Sequence, residues 1–156
     1  MTPALSILRS SAPLEAPDSP SPSTVPPVLL RGERERLPDR REKVGREVAM
    51  DGFAAYVDVA CYPDGRLGEV FIDAAKPGAV MRGVCSALAH AVSLGLQYGV
   101  PAEEFVEAFA HTRFGNEGVV HGQPDLERAT SPLDAIARVL AAESDIAYPA
   151  APRKWL

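Results

Sequence analysis

The chain has 156 residues with 16 basic and 21 acidic side chains, a formal net charge of −5. That size holds one domain of ordinary length, or a smaller one plus a tail, and the acidic balance argues against nucleic acid or an anionic membrane as the main partner. Two cysteines, Cys61 and Cys85, are too few for a disulfide framework or a four-thiolate zinc site. No run approaches the roughly 20 apolar residues of a membrane span. The stretch Met1 to Leu14, with Arg9 its only basic residue, makes a poor signal peptide. The expectation is a soluble, cytoplasmic protein with reduced thiols.

Residues 1–30 hold seven of the 15 prolines and six serines. Proline removes backbone donors, and little periodic apolar surface is present to offset the entropy of ordering, so this segment reads as a disordered tail. Arg31 to Lys43 carries six basic and four acidic side chains. It reads as a solvated linker, with a basic clamp for a partner or a phosphate, through Arg36, Arg40 and Arg41, as the sharper alternative. The boundaries expected are a tail and charged linker over 1–43, a folded domain over 44–145 and a flexible end over 146–156. The folded part then carries a charge of about −6, from nine basic and fifteen acidic residues beyond position 43.

Gly45 to Met50 and Phe53 to Tyr62 are two β-prone runs around Asp51-Gly52, a hairpin signal. In the second run Ala55, Val57, Val59 and Cys61 alternate with Ala54, Tyr56, Asp58 and Ala60, as in a half-buried strand. Pro63-Asp64-Gly65 supplies a turn, and Leu67 to Ala74 reads as a third strand. After Lys76-Pro77-Gly78 the period becomes helical. From Ala79 to Tyr98 apolar residues occupy most of the circumference, which predicts a central, well-buried helix, satisfied within one chain or across a dimer. Gly99 ends it. Pro101 opens a second helix with Glu103 and Glu104 in its first turn, His111 and Arg113 near its end and Gly115 as its stop. A loop through Gly118, Gly122 and Pro124 follows. Thr130-Ser131-Pro132-Leu133-Asp134 then starts a third helix running to about Glu143. The fold class expected is α+β: a three-stranded antiparallel meander followed by three helices.

Few residues announce chemistry. His90, His111 and His121 show no metal-ligand spacing, and His111 at a helix end reads as a dipole partner or local hydrogen-bonding group. Cys61 and Cys85 fall on apolar faces and read as core residues. No nucleophile elbow, phosphate loop or dinucleotide fingerprint is present, so the residues offer no catalytic machinery. Asp73 at the end of the third strand and Arg82 in the first turn of the long helix suggest an ion pair, or a small-anion site at the helix start. Gln97 and Tyr98, His111 with Thr112 and Arg113, and Thr130 with Ser131 are placed for capping first and ligand contact second.

Several ordered motifs carry a resemblance. Asp64-Gly65-Arg66-Leu67-Gly68-Glu69-Val70-Phe71-Ile72-Asp73, Ser93-Leu94-Gly95-Leu96-Gln97-Tyr98-Gly99-Val100-Pro101, His111-Thr112-Arg113-Phe114 and Ala129-Thr130-Ser131, with Arg36-Leu37-Pro38-Asp39-Arg40-Arg41 upstream, resemble the carboxyl-terminal, TSCPD-type domain of adenosylcobalamin-dependent (class II) ribonucleotide reductases, from about Arg36 to Glu143. The five letters TSCPD do not occur in this chain. The resemblance implies a link to deoxyribonucleotide synthesis. It carries over no catalytic residue, because the family's radical cysteine, reducing cysteine pair and cobalamin site belong to a barrel domain that this chain is too short to hold. No cofactor is expected in this chain, adenosylcobalamin entering only by association with a reductase barrel. The function expected is a binding or regulatory module whose partner is a reductase large chain, with a nucleotide as a second candidate ligand. The alternatives are a subunit of a split ribonucleoside-diphosphate reductase and an orphan nucleotide or nucleic-acid binder using the basic stretch.

Overall fold

The computed structural model describes residues 32–75, 78–115, 117–123 and 126–151. The expected disordered tail, 1–30, lies outside them. Strand β1 (Lys43–Met50) and strand β2 (Phe53–Cys61) turn about Asp51-Gly52, with Met50 opposite Phe53 and Gly52 at φ 73°. Strand β3 (Leu67–Ala74) pairs with β2, and the order is β1-β2-β3, all antiparallel. The meander is thus as expected. Alternation puts Val48, Val57, Val59, Val70 and Ile72 on one face, where they join a single core. The opposite face leaves Tyr56 and Phe71 exposed, with the Lys43 ammonium 3.5 Å from the centre of the Phe71 ring.

Three helices follow: α1 (Ala79–Gln97), α2 (Ala102–Phe109) and α3 (Pro132–Glu143). Helix α3 packs against β1, β2 and α2, and α1 lies along β3. Ser131 caps α3, its hydroxyl accepting the Asp134 N–H at 3.1 Å, as the sequence predicts.

Helix α1 departs from expectation. It buries only Cys85, Ala89, Val92, Ser93, Leu96 and Gln97, Leu88 is half-buried, and Val80 and Val84 are 83% and 56% exposed. The sheet is three strands wide and α1 rests against its edge strand, so one stripe of the helix finds apolar neighbours and the rest faces outward. By length and composition α1 is also apolar enough to cross a membrane, which corrects the expectation that no run approaches that threshold. Its buried stripe, however, is part of the sheet's core.

That stripe closes the β3 edge. The Ser93 hydroxyl accepts the Val70 N–H (2.9 Å) and lies 3.1 Å from the Val70 carbonyl, and the Gln97 amide donates to the Gly68 carbonyl (3.1 Å). Side chains of a helix therefore satisfy backbone groups that an edge strand otherwise presents to another chain. Ser93→Ala strands the Val70 N–H in a buried position and is expected to cost about 1–3 kcal/mol. Urea denaturation checks this; an unchanged midpoint would mean that the edge is solvated.

Four further differences have local causes. Helix α2 stops at Phe109 rather than near Arg113, because His111 takes φ 57° and donates its N–H to the Asp134 carboxylate at 2.6 Å. Gly115 lies in the turn beyond. The expected loop contains a short ribbon, β4 (Gly118–Val119) with β5 (Arg128–Ala129), and His121 donates from its backbone to the Ala49 carbonyl. The charged stretch from Gly32 to Glu42 is largely exposed, as expected of a solvated linker, but it is pinned at a few points. Leu37 is buried with Ala60 and Tyr62, the Tyr62 hydroxyl donates to the Glu35 carbonyl, and the Glu35 N–H donates to the Gln97 carbonyl. Gly68 permits this, since a Cβ there would meet Leu37 at 2.4 Å and Tyr62 at 2.7 Å. Finally, Ile146 and Tyr148 pack against the core, so the end of the chain is docked at least this far.

Candidate functional site

Asp134 is completely buried in the first turn of α3. One carboxylate oxygen accepts the His111 N–H at 2.6 Å and the Tyr148 hydroxyl; the other accepts the Thr130 N–H at 2.9 Å and faces the Arg138 guanidinium at 3.4 Å. Around this hub the Thr112 and Ser131 hydroxyls lie 2.8 Å apart, Thr130 donates to the Thr112 carbonyl at 2.9 Å, and His111 Nε2 sits 2.8 Å from the Pro149 carbonyl. That last contact requires the proton on Nε2, because a carbonyl can only accept. Burial pushes the Asp134 carboxyl up, but the Tyr148 hydroxyl, the Thr130 and His111 N–H groups and the Arg138 charge outweigh it and hold the group below the usual carboxylate range. Tyr148 is pushed upward, by burial first and then by the carboxylate it serves. Of the candidate residues, His111, Thr130 and Ser131 therefore meet, and they tie α2, α3 and the chain end together. Each is engaged with a neighbour, which is the chemistry of a lock.

The second region is a groove of about 470 Å³ along the β3 edge. Ile72 and Asp73 of β3 and Ser86 and His90 of α1 line it, with Arg34 and Gln97 at one end. Gln97 is 3% exposed and is fixed there by Arg34 Nε, which donates to its side-chain Oε1 at 2.7 Å. The groove offers two carboxylates (Glu69, already bound to Arg41, and Asp73), one imidazole and one guanidinium, a set able to exchange hydrogen bonds with a polar ligand.

The remaining candidates scatter. Asp73 and Arg82 are both exposed, and among the described residues no ion pair joins them. Tyr98 is half exposed at the end of α1. Arg113 is an exposed partner of Glu117 at 2.8 Å. Arg36 and Arg40 are exposed, whereas Arg41 is bound to Glu69 at 2.6 Å and donates to the Pro38 and Asp39 carbonyls. Arg46 pairs with Glu143. His90 and His121 are exposed on separate elements. Among the described residues, no group of three or more His, Cys, Asp or Glu could hold a metal ion.

Both cysteines are free thiols, Cys85 buried and Cys61 half-buried. Burial raises both above their ordinary value, and Glu143 raises Cys61 further. Since the thiolate is the reactive form, both are expected to react with a disulfide reagent more slowly at pH 7 in the folded chain than after denaturation. Equal rates would contradict their burial. Sequence reasoning saw Asp134 only as a capping neighbour and missed Tyr148, Arg34 and the pairing of Ser93 with Val70. The Ser131-to-Asp134 spacing was the available signal for the first, and no local pattern marks the others.

The family described as the TSCPD domain matches residues 30–144. A vitamin B12-dependent ribonucleotide reductase of Bradyrhizobium diazoefficiens is 46% identical over 114 residues, covering 73% of this chain and 9% of that protein. Proteins of the same description from Agrobacterium fabrum and Rhodopirellula baltica are 47% identical over 109 residues and 39% identical over 126. Those matches cover 70% and 81% of this chain, and 9% and 12% of the relatives. The chain thus spans about a tenth of the length of these curated relatives. No solved structure matches it.

Proposed function

Because the chain belongs to the TSCPD-domain family, we propose that it is a non-catalytic binding module acting in the cytoplasm with a vitamin B12-dependent ribonucleotide reductase, in deoxyribonucleotide synthesis. The observation that carries this reading is the match itself: nearly the whole folded part corresponds to one segment, about a tenth of the length, of those enzymes. The site geometry supports a binding role. The hub around Asp134 is engaged internally, and both thiols are pushed away from the thiolate form.

The cobalamin of such an enzyme does not fit these residues. Drug-sized ligands take clefts of roughly 300–1,000 Å³ and a corrin is larger than such ligands, whereas the groove beside Gly65, Leu96 and Pro101, of about 520 Å³ among the described residues, is open to the surface. We assign the cofactor to the reductase partner. Of the three arginines of the basic-clamp alternative, Arg41 is committed to Glu69, while Arg36 and Arg40 are exposed.

The test is an affinity purification of the tagged chain from its own cells, followed by reductase turnover with and without the chain. A reductase that is recovered stoichiometrically and turns over by itself, at a rate the chain alters, supports the accessory module. A large chain inactive until this one is added makes it a subunit of a split enzyme. If no reductase is recovered and turnover is unaffected, the reading fails.

A further inference from the structure

Helix α1 keeps one face that nothing in the described chain covers. Val80, Val84, Ala87, Ala91, Leu94 and Tyr98 succeed one another at alternating spacings of four and three, the repeat of a helix-to-helix seam. Val80, Val84 and Tyr98 are 83%, 56% and 49% exposed; Ala87 and Ala91 are exposed and Leu94 is half-buried. The outward face of a surface helix ordinarily carries charge. Here no Asp, Glu, Lys or Arg occurs from Gly83 to Ala102.

The order of side chains along the seam identifies what covers it. Read from either end it runs larger, larger, small, small, larger, larger. We propose that the α1 seam pairs antiparallel with the α1 seam of a second copy of this chain, about a two-fold axis beside position 89. Val80 then meets Tyr98 of the second copy, Val84 meets Leu94, and Ala87 meets Ala91, each layer occurring twice, as a two-fold interface requires. The alanine layers let the helix backbones approach at the centre, while the larger side chains interlock at both ends. Antiparallel pairing also sets each helix start beside the other's end, so the dipoles attract. The exposed Arg82 of one copy lies toward the negative end of the other helix. A seam built for an unrelated helix has no need of this internal symmetry. The proposal does not depend on the reductase reading.

Sedimentation equilibrium of the full chain, over loadings from about 1 µM to 1 mM, tests it. The expected result is a monomer–dimer equilibrium. Ala87→Glu is expected to weaken it at least tenfold, because the new carboxylate would be buried against Ala91 of the second copy. Ala87 is exposed in the single chain, so far-ultraviolet dichroism and melting of this variant at low concentration should match the wild type. A chain that stays monomeric throughout overturns the proposal, including the case in which A87E instead abolishes binding to a reductase chain. A dimer indifferent to A87E overturns it equally.

Discussion

Asp134→Ala is expected to cost about 3–5 kcal/mol, the range for removing one member of a buried charged network. The substitution strands the His111 and Thr130 N–H groups and the Tyr148 hydroxyl, all of which converge on this carboxylate. It also unfastens the chain end from α3. The effect should depend on pH in a defined direction. The folded-state pKa of Asp134 lies below its ordinary value, so the ionised group's contribution is complete above about pH 4, where an unfolded Asp is deprotonated. As pH falls further, through the depressed folded value, that contribution is lost. Urea midpoints of the wild type and the variant should therefore differ most at neutral pH and converge on acidification. A gap that stays constant down to pH 2 would show that the hydrogen bonds, and not the charge, carry the effect.

Val57→Asp is expected to unfold the protein. Val57 sits in the central strand with no exposed surface, paired to Arg46 on one side and Ile72 on the other. An aspartate there is a buried charge whose cross-strand neighbour Arg46 is already bound to Glu143, and a loss of about 4–5 kcal/mol or more rivals the 5–15 kcal/mol by which domains are usually stable. The same change at Val84, on the outward face of α1, should move stability by no more than about 0.5 kcal/mol when measured where the chain is monomeric. Dichroism and thermal melting of the two variants side by side check both claims. A folded Val57→Asp would mean that the sheet packs differently from the arrangement described.

These two valines show what a sequence can and cannot disclose. Both lie in apolar, periodic segments. In β2 the period of two names the buried face directly, because a strand has only two faces and the Asp51-Gly52 turn sets the register. In α1 the residues are apolar nearly all round, so periodicity identifies the helix without choosing which stripe is inside. That choice is made by a sheet only three strands wide. The candidate site follows the same logic. The Ser131 cap was legible because its partner, Asp134, is three residues away. The meeting of Asp134 with His111 and Tyr148 depends on the ends of α2 and α3 converging, and the pairing of Asp73 with Arg82 failed because strand end and helix start do not place the two side chains together. The anchoring of the charged stretch is hidden for a related reason: its charges look solvated in the sequence, and most are, yet Leu37 and the Arg34 and Arg41 contacts find their neighbours only once β3 and α1 are in place.

The closure of β3 by Ser93 and Gln97 sets a timetable for synthesis. The N–H that Ser93 satisfies on Val70 precedes it by 23 residues. At a synthesis rate of roughly 5–20 residues per second, the strand emerges about 1–5 s before the hydroxyl that seals it. During that interval the nascent meander has an open flank able to recruit strands from neighbouring chains on the same message. Slowing translation between codons 75 and 93 lengthens the interval, so the yield of soluble protein should fall with codon choice in that window more than with choice beyond codon 97.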